Sequence, residues 1–375
     1  MKKKAISAWN SICDLFQRCK FVYDKIFYKA DKESVKNILK FLESDIDLDN
    51  EENSPYGPNK KELVKSIKKQ FLQKVGYEDL SVMIYGLLFY RKTGRTPTFA
   101  HKAYLRAYMK TSGIAQEVLH YSLFEKNTTF HGQNLPDNKH IFDLSDAEMQ
   151  KSLVALNQKG YFCLRNHISN DLIDHINADV RDMRFSSESS PDLITLNPKF
   201  PPQCNTAHAL TKDIYSSSYI QKLTHSKLLL SIASAYLKTE VQLLNSCLWY
   251  SFASSKPTSE AAQFYHFDLD TLKWLKVFIY LSDVTKQNGP HEYIEGSHIP
   301  GSKPAELLMR GYCRLTDKEI DNFFEGKRKQ ALGSAGTIVF ADTRCFHKGT
   351  NPMTGYRLVL QAIYAPSFLS YRQLD

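Results

Sequence analysis

The chain has 375 residues and carries 49 Lys and Arg against 40 Asp and Glu, a formal net charge of +9. At roughly 150 residues per domain this length predicts two folded units. With 42% apolar and 24% charged residues, 16 Gly and 14 Pro, the composition excludes collagen, wholesale disorder and low-complexity scaffolds.

The first part of the chain reads as helical and basic. Residues 1–130 hold 23 Lys and Arg against 15 Asp and Glu, whereas the remainder holds 26 against 25. Met1-Lys2-Lys3-Lys4 resembles the opening of a secretory signal, but Asp14 and Arg18 interrupt the apolar stretch that should follow, so it reads as a mature N-terminus. Apolar residues at helical spacing predict a helix over 5–29, and the acidic stretch 45–58 reads as a loop. Further helical segments follow near 60–75 and 77–91, and Thr96-Pro97 suits another helix start. Such a surface suits water alone; it also suits an anionic partner such as a phosphorylated substrate or a membrane surface, with nucleic acid disfavoured.

From about residue 140 the texture changes. Ser145-Asp146-Ala147-Glu148 has the form of a capping box opening a helix that stops at Gly160. A short strand over 161–164 and a helix over 169–183 come next. Beyond residue 240, strand signals dominate at 241–252, 264–268, 275–281, 337–340 and 358–364, punctuated by Gly, Pro and Asn turns. Many strands with long connections predict a sandwich or jelly roll, and there is no internal repeat. No uncharged apolar run approaches the ~18 residues of a membrane span. Seven scattered cysteines, without a Cys-x-x-Cys pair, predict reduced thiols and a cytoplasmic protein.

The chemistry concentrates in two segments. In His266-Phe267-Asp268, strand alternation puts the imidazole and the carboxylate on one face. His-x-Asp alone is a weak signal. The second segment runs from Gly336 through His347 and the turn Asn351-Pro352-Met353-Thr354-Gly355 to Arg357. A hairpin symmetric about Pro352 would set His347 opposite Arg357, where a buried guanidinium needs an anion. Two imidazoles and one carboxylate on one side of an octahedral metal leave three adjacent positions open, the arrangement of non-haem Fe(II) oxygenases. A keto acid chelating the iron, with a second carboxylate reaching Arg357, would fill the site together with dioxygen; 2-oxoglutarate has that shape.

Residues 142–366 resemble the phytanoyl-CoA dioxygenase family of Fe(II)/2-oxoglutarate oxygenases, which includes ectoine hydroxylase. The resemblance rests on residues 160–165, on His266-Phe267-Asp268, on Leu281-Ser282-Asp283-Val284 and Gly296-Ser297-His298, and on the His347 to Arg357 segment. The 81 residues from His266 to His347 and the ten from there to Arg357 also agree.

The resemblance implies an α+β chain: a double-stranded β-helix (jelly-roll) barrel over residues 141–375, preceded by an all-α basic region over 1–140. It implies that His266, Asp268 and His347 ligate Fe(II) and that Arg357 binds the far carboxylate of 2-oxoglutarate. Phe278 falls where the family often places an aromatic near the cosubstrate, and Tyr250 falls on a pocket-lining strand. Many relatives have a Ser two residues after the distal histidine; here Gly349 is followed by Thr350, which would have to substitute. The segment Gly289-Pro290-His291-Glu292 also departs from the usual Gly-x-Leu. Retention of Asp268 disfavours halogenation.

The implied activity is a dioxygenase that couples decarboxylation of 2-oxoglutarate to succinate and CO2 with hydroxylation of a small organic or acyl-type substrate, without a side-chain acid or base. The alternative is a non-catalytic metal-binding barrel that acts through its basic helices. His298, His208 and the stretch Gly333-Ser334-Ala335-Gly336 read as turn or structural elements.

Overall fold

A computed structural model describes residues 96–124, 139–187, 190–196, 204–253, 262–311 and 314–366, with scattered helical positions between 75 and 90. The helices predicted over 5–29 and 60–75 and the loop over 45–58 lie outside the described residues except for Val75, and so does most of the basic segment 1–130 for which an anionic partner is expected. Helix α1 (Thr98–Thr111) starts after Pro97, and α2 (Ile114–Phe124) follows it. Tyr104 and Tyr108 on α1 are buried, so this face packs inward.

Helix α3 (Asp146–Lys159) has the predicted capping box: the Ser145 hydroxyl accepts from the Glu148 amide, and the Glu148 carboxylate accepts from the Ser145 amide at 2.9 Å. It ends at Gly160, whose φ of 86° is the left-handed conformation that glycine tolerates. A Cβ there would also lie 2.5 Å from Cys345 Sγ, so the position excludes larger residues twice over.

Strand β1 (Tyr161–Leu164), helix α4 (Asn170–Asp182), and strands β2 (Arg184–Ser187), β3 (Ser190–Thr195) and β4 (Thr206–Ala209) follow. Helices α5 (Thr211–Ser216), α6 (Ser218–Thr224) and α7 (Lys227–Leu237) then lead to the long β5 (Gln242–Phe252) and to β6 (Leu275–Tyr280). The C-terminal part contains β7 (His291–Ile294), α8 (Ala305–Met309), α9 (Asp317–Phe324), β8 (Arg328–Ala331), β9 (Ile338–Ala341), β10 (His347–Gly349) and β11 (Tyr356–Ala365).

This is a mixed fold of two antiparallel sheets flanked by helices. The larger sheet has the order β1-β9-β6-β11-β5-β4-β2-β3, and the smaller has the order β10-β7-β8. Alternation sorts the larger sheet's side chains between two faces. Leu248, Tyr250, Val277, Ile279, Leu358 and Leu360 join the core under α4, α6 and α7. Phe278, Tyr280, Val339 and Val359 face the other way and pack with Tyr293 of the smaller sheet. The site lies on that inner side.

Two expectations need correction. The segment 264–268 is not a regular strand; it is pinned by isolated bridges, Tyr265 to Leu315 and His266 to His347. Nor do His347 and Arg357 face each other in a hairpin. β10 pairs β7, with His347 opposite Tyr293, while β11 pairs β5 and β6, with Arg357 opposite Ser251. The turn does not fold on itself, because its amides are taken elsewhere: Thr350 donates to the Pro290 carbonyl at 3.0 Å and Met353 to Gln287 at 2.8 Å.

Candidate metal and keto-acid site

The two histidine backbones lock together. The His266 amide donates to the His347 carbonyl at 3.0 Å, and the His347 amide donates to the His266 carbonyl at 2.8 Å. This sets the rings 4.3 Å apart between centroids. Each ring is then oriented by a carbonyl two residues earlier: Nδ1 of His266 bonds to Phe264 O at 3.0 Å, and Nδ1 of His347 to Cys345 O at 2.9 Å. A proton on Nδ1 leaves the lone pair on Nε2, the nitrogen a metal would use.

Asp268 joins them through its amide, which donates to Thr343 O at 2.8 Å on the loop leading into β10. Its Oδ1 lies 3.8 Å from Nε2 of His266, and its Oδ2 lies 3.5 Å from Nε2 of His347. All three side chains are buried and offer ligand atoms within 4.8 Å of one another.

The electrostatics suit a cation. Burial, reinforced by the neighbouring His347, pushes His266 down to about 3, against the opposing pull of Asp268. Burial likewise lowers His347. Burial alone would raise Asp268, but the Lys276 ammonium and the two imidazoles outweigh it and hold the carboxyl well below the usual range. Near neutral pH the cluster therefore offers two neutral imidazoles and one carboxylate, a donor set suited to Fe(II).

Lys276 was not evident as a site residue from sequence. Its Nζ lies 2.7 Å from Asp268 Oδ2 and 2.7 Å from Asp270 Oδ2. The one signal was a lysine inside an otherwise apolar strand, Leu275-Lys276-Val277-Phe278-Ile279-Tyr280, since a fully buried lysine is rarely unpaired.

Arg357 sits on the inner face of β11 and is 3% exposed. Nη1 donates to the Gly289 carbonyl and Nη2 to Ser251 Oγ at 3.2 Å, while Nε is buried with no hydrogen-bond partner among the described residues. No carboxylate among the described residues pairs with this guanidinium. A Cβ at Gly349 would lie 2.9 Å from Nη2, so glycine lets the cation approach β10.

The remaining expected residues divide. Phe278 is on the inner face, its ring 4.4 Å from that of His291. Thr350 is engaged, its hydroxyl donating to Pro290 O at 2.7 Å. Tyr250 points the wrong way: it packs against Phe185, Phe252 and Tyr356 on the helix-covered face. Its neighbour Trp249 is the inward aromatic of β5, 6.4 Å from Phe278 edge to face.

The profile of the phytanoyl-CoA dioxygenase (PhyH) family matches residues 156–357, more than half of the chain and a span that contains His266, Asp268, His347 and Arg357. The chain belongs to this family. It is thus an Fe(II)- and 2-oxoglutarate-dependent oxygenase. No curated protein matches the sequence. Among solved structures it is similar to HygX from Streptomyces hygroscopicus with nickel, 2-oxoglutarate and hygromycin B bound. That match has 14% identity and a TM-score of 0.44, covering 61% of this chain and 90% of HygX. It is also similar to the epimerase SnoN of nogalamycin biosynthesis, with 15% identity and a TM-score of 0.45, covering 59% and 84%. EctD from S. alaskensis with bound Fe matches at 16% identity and a TM-score of 0.40, covering 64% and 82%.

Proposed function

We propose that this phytanoyl-CoA dioxygenase family member hydroxylates a C–H bond of a small organic or acyl-type molecule. His266, Asp268 and His347 hold Fe(II), and Arg357 holds the far carboxylate of 2-oxoglutarate. The observation that carries this reading is Arg357, a buried cation that pairs with no carboxylate among the described residues. An isolated buried charge is costly, so its counter-anion is expected to come from a ligand. Iron with bound 2-oxoglutarate supplies the oxidising chemistry and releases succinate and CO2. The chain's residues fix the two imidazoles by their Nδ1 bonds, keep Asp268 ionised beside Lys276, and exclude water with Phe278, Tyr280 and Tyr293. No side-chain acid or base is needed.

The alternation of β6, β9 and β11 in one sheet with β7, β8 and β10 in the other supports a double-stranded β-helix. The division expected from sequence, a catalytic barrel over 141–375 after a helical region over 1–140, is part of this proposal; among the described residues Glu117 of α2 pairs with Lys273 and Arg344. Free thiols at Cys163, Cys204, Cys247 and Cys345 support a cytoplasmic, reducing setting, and no described helix is long and apolar enough to cross a membrane.

The test is substrate-free turnover. Purified protein with Fe(II) should convert 2-oxoglutarate to succinate slowly, and both Asp268→Ala and Arg357→Ala should stop it. Unchanged 2-oxoglutarate affinity in Arg357→Ala would refute the assignment of the arginine.

A further inference from the structure

The metal ligands stand on one face of a ribbon whose other face is core. Tyr265 and Leu315 exchange both backbone hydrogen bonds, the Tyr265 amide donating to Leu315 O at 2.9 Å and the Leu315 amide to Tyr265 O at 2.8 Å. Both side chains join Phe267 and Phe346 in one apolar cluster. His266, Asp268 and His347, each one residue along, turn the other way and converge. Antiparallel pairing carried one residue further sets position 314 beside position 266, in a pair without mutual hydrogen bonds, where side chains share a face and approach most closely. Position 314 is an arginine.

The order across this layer is therefore Arg314, His266, His347 and Tyr293. The arginine's charge is felt at the cluster: burial comes first in lowering both His266 and His347, and the Arg314 charge adds to it at each. Arg314 is half-buried, whereas Arg357 is closed off from solvent. The two arginines also meet the cluster from different sides. Arg357 lies against Gly349, two residues beyond His347, and donates to the Gly289 carbonyl ahead of β7. Arg314 stands beyond His266, on the flank away from β7. A keto acid anchored at Arg357 would reach the metal without passing it. A planar fork of donors beside the metal ligands, reachable from solvent, suits a second carboxylate or a phosphate that belongs to neither the protein nor the keto acid.

We propose that Arg314 is a substrate-recognition residue that pairs with an anionic group, a carboxylate or a phosphate, on the molecule to be hydroxylated, and so fixes which C–H bond faces the metal. This rests on the metal and keto-acid reading of the site given above. It makes the site a receptor for two anions, the far carboxylate of the cosubstrate at Arg357 and the charged group of the substrate at Arg314.

The experiment uses the full chain loaded with 2-oxoglutarate and Ni(II), which holds the keto acid without turnover. Two matched pairs are titrated into it calorimetrically, hexanoate against hexanamide and phenyl phosphate against phenol. At least one anion should bind about 10- to 100-fold more tightly than its neutral partner, the range for hydrogen bonds to a charged group. A preference for hexanoate assigns a carboxylate substrate, and a preference for phenyl phosphate a phosphorylated one. Arg314→Gln should erase the preference and Arg314→Lys should keep part of it, while both retain the wild-type affinities for Ni(II) and 2-oxoglutarate. Three results would overturn the proposal: a wild type that prefers neither anion, a preference that survives in Arg314→Gln, or a loss of 2-oxoglutarate affinity in Arg314→Gln, which would place the arginine on the keto acid. If Ni(II)-loaded wild type does not bind 2-oxoglutarate at all, the keto-acid reading fails first, before any variant is made, and this inference falls with it.

Discussion

Glu117 offers the sharpest test of how the helical region supports the site. On α2, 5% exposed, it places Oε1 2.6 Å from Lys273 Nζ and Oε2 2.7 Å from Arg344 Nη1. Arg344 also forks onto Asp342, which accepts from the Tyr236 hydroxyl at 2.6 Å. Glu117→Ala takes from Lys273 the carboxylate it pairs with and leaves Arg344 with Asp342 alone, and removing one partner of a buried pair costs about 3–5 kcal/mol. Against a typical total of roughly 5–15 kcal/mol, that is a large share. Urea unfolding at pH 7 should show it, with Glu117→Gln intermediate because the amide keeps one acceptor. The pH dependence has a definite sign. Burial alone would raise the Glu117 carboxyl, but Lys273 and Arg344 outweigh it and hold it well below its ordinary 4.5. Its contribution is therefore present above pH 4.5 and lost as the pH falls below, so the gap between wild type and Glu117→Gln should close in acid. Because Arg344 sits in the loop carrying Thr343 O and His347, Mn(II) affinity should fall in Glu117→Ala as well. A Glu117→Ala protein within about 1 kcal/mol of wild type at pH 7 would refute the reasoning.

Three further outcomes are expected. Metal plus 2-oxoglutarate at about a thousand times their dissociation constants should stabilise the fold by about 4 kcal/mol; thermal unfolding should show this shift in wild type and not in Asp268→Ala or His347→Ala. Lys276→Met should raise the Asp268 carboxyl by removing the strongest group that lowers it, so that Mn(II) binding weakens between pH 7 and 5.5 in the variant while wild type changes little; equal pH profiles by calorimetry would count against this. Burial pushes Lys303 down to about 7 from 10.5, so the unfolded chain takes up a proton that the folded one has released, and stability should rise with pH above 7. Relative to Lys303→Met, wild type should gain about 2 kcal/mol between pH 7 and 9 in urea unfolding, and parallel curves would remove Lys303 as the cause.

Much of the site was legible because its residues obey local rules. The spacing of His266 and Asp268 puts both on one side of an extended segment, and the capping box and Gly160 fix where α3 begins and ends. What the chain did not reveal depends on pairing register. The expectation that Tyr250 lines the pocket fails on parity: Ser251 pairs with Arg357, so odd-numbered residues of both strands share the inner face, and nothing within residues 242–252 declares that register. The hairpin failed for a related reason. Adjacent strands usually pair, but the turn after β10 spends its amides on 287–290, and β10 stays in the smaller sheet. Glu117 and Arg344, 227 positions apart, meet by a contact that no local pattern announces.

Six cations buried among the described residues look alike in sequence, and the way each is neutralised separates structure from function. Lys348 pairs with Asp317 and Glu292. Lys273 and Arg344 share Glu117, and Arg344 also binds Asp342. Lys276 lies between Asp268 and Asp270. Lys303 donates to the Ser297 carbonyl and lies over the rings of Phe267 at 5.2 Å and Phe346 at 5.4 Å, a weaker arrangement consistent with its lowered proton affinity. Among the described residues Arg357 receives only a carbonyl and a hydroxyl as hydrogen-bond partners. A guanidinium cannot escape burial by losing its proton as a lysine can. Of the six it is therefore the permanently charged one that no carboxylate among the described residues meets, and the one left for the far carboxylate of an incoming keto acid.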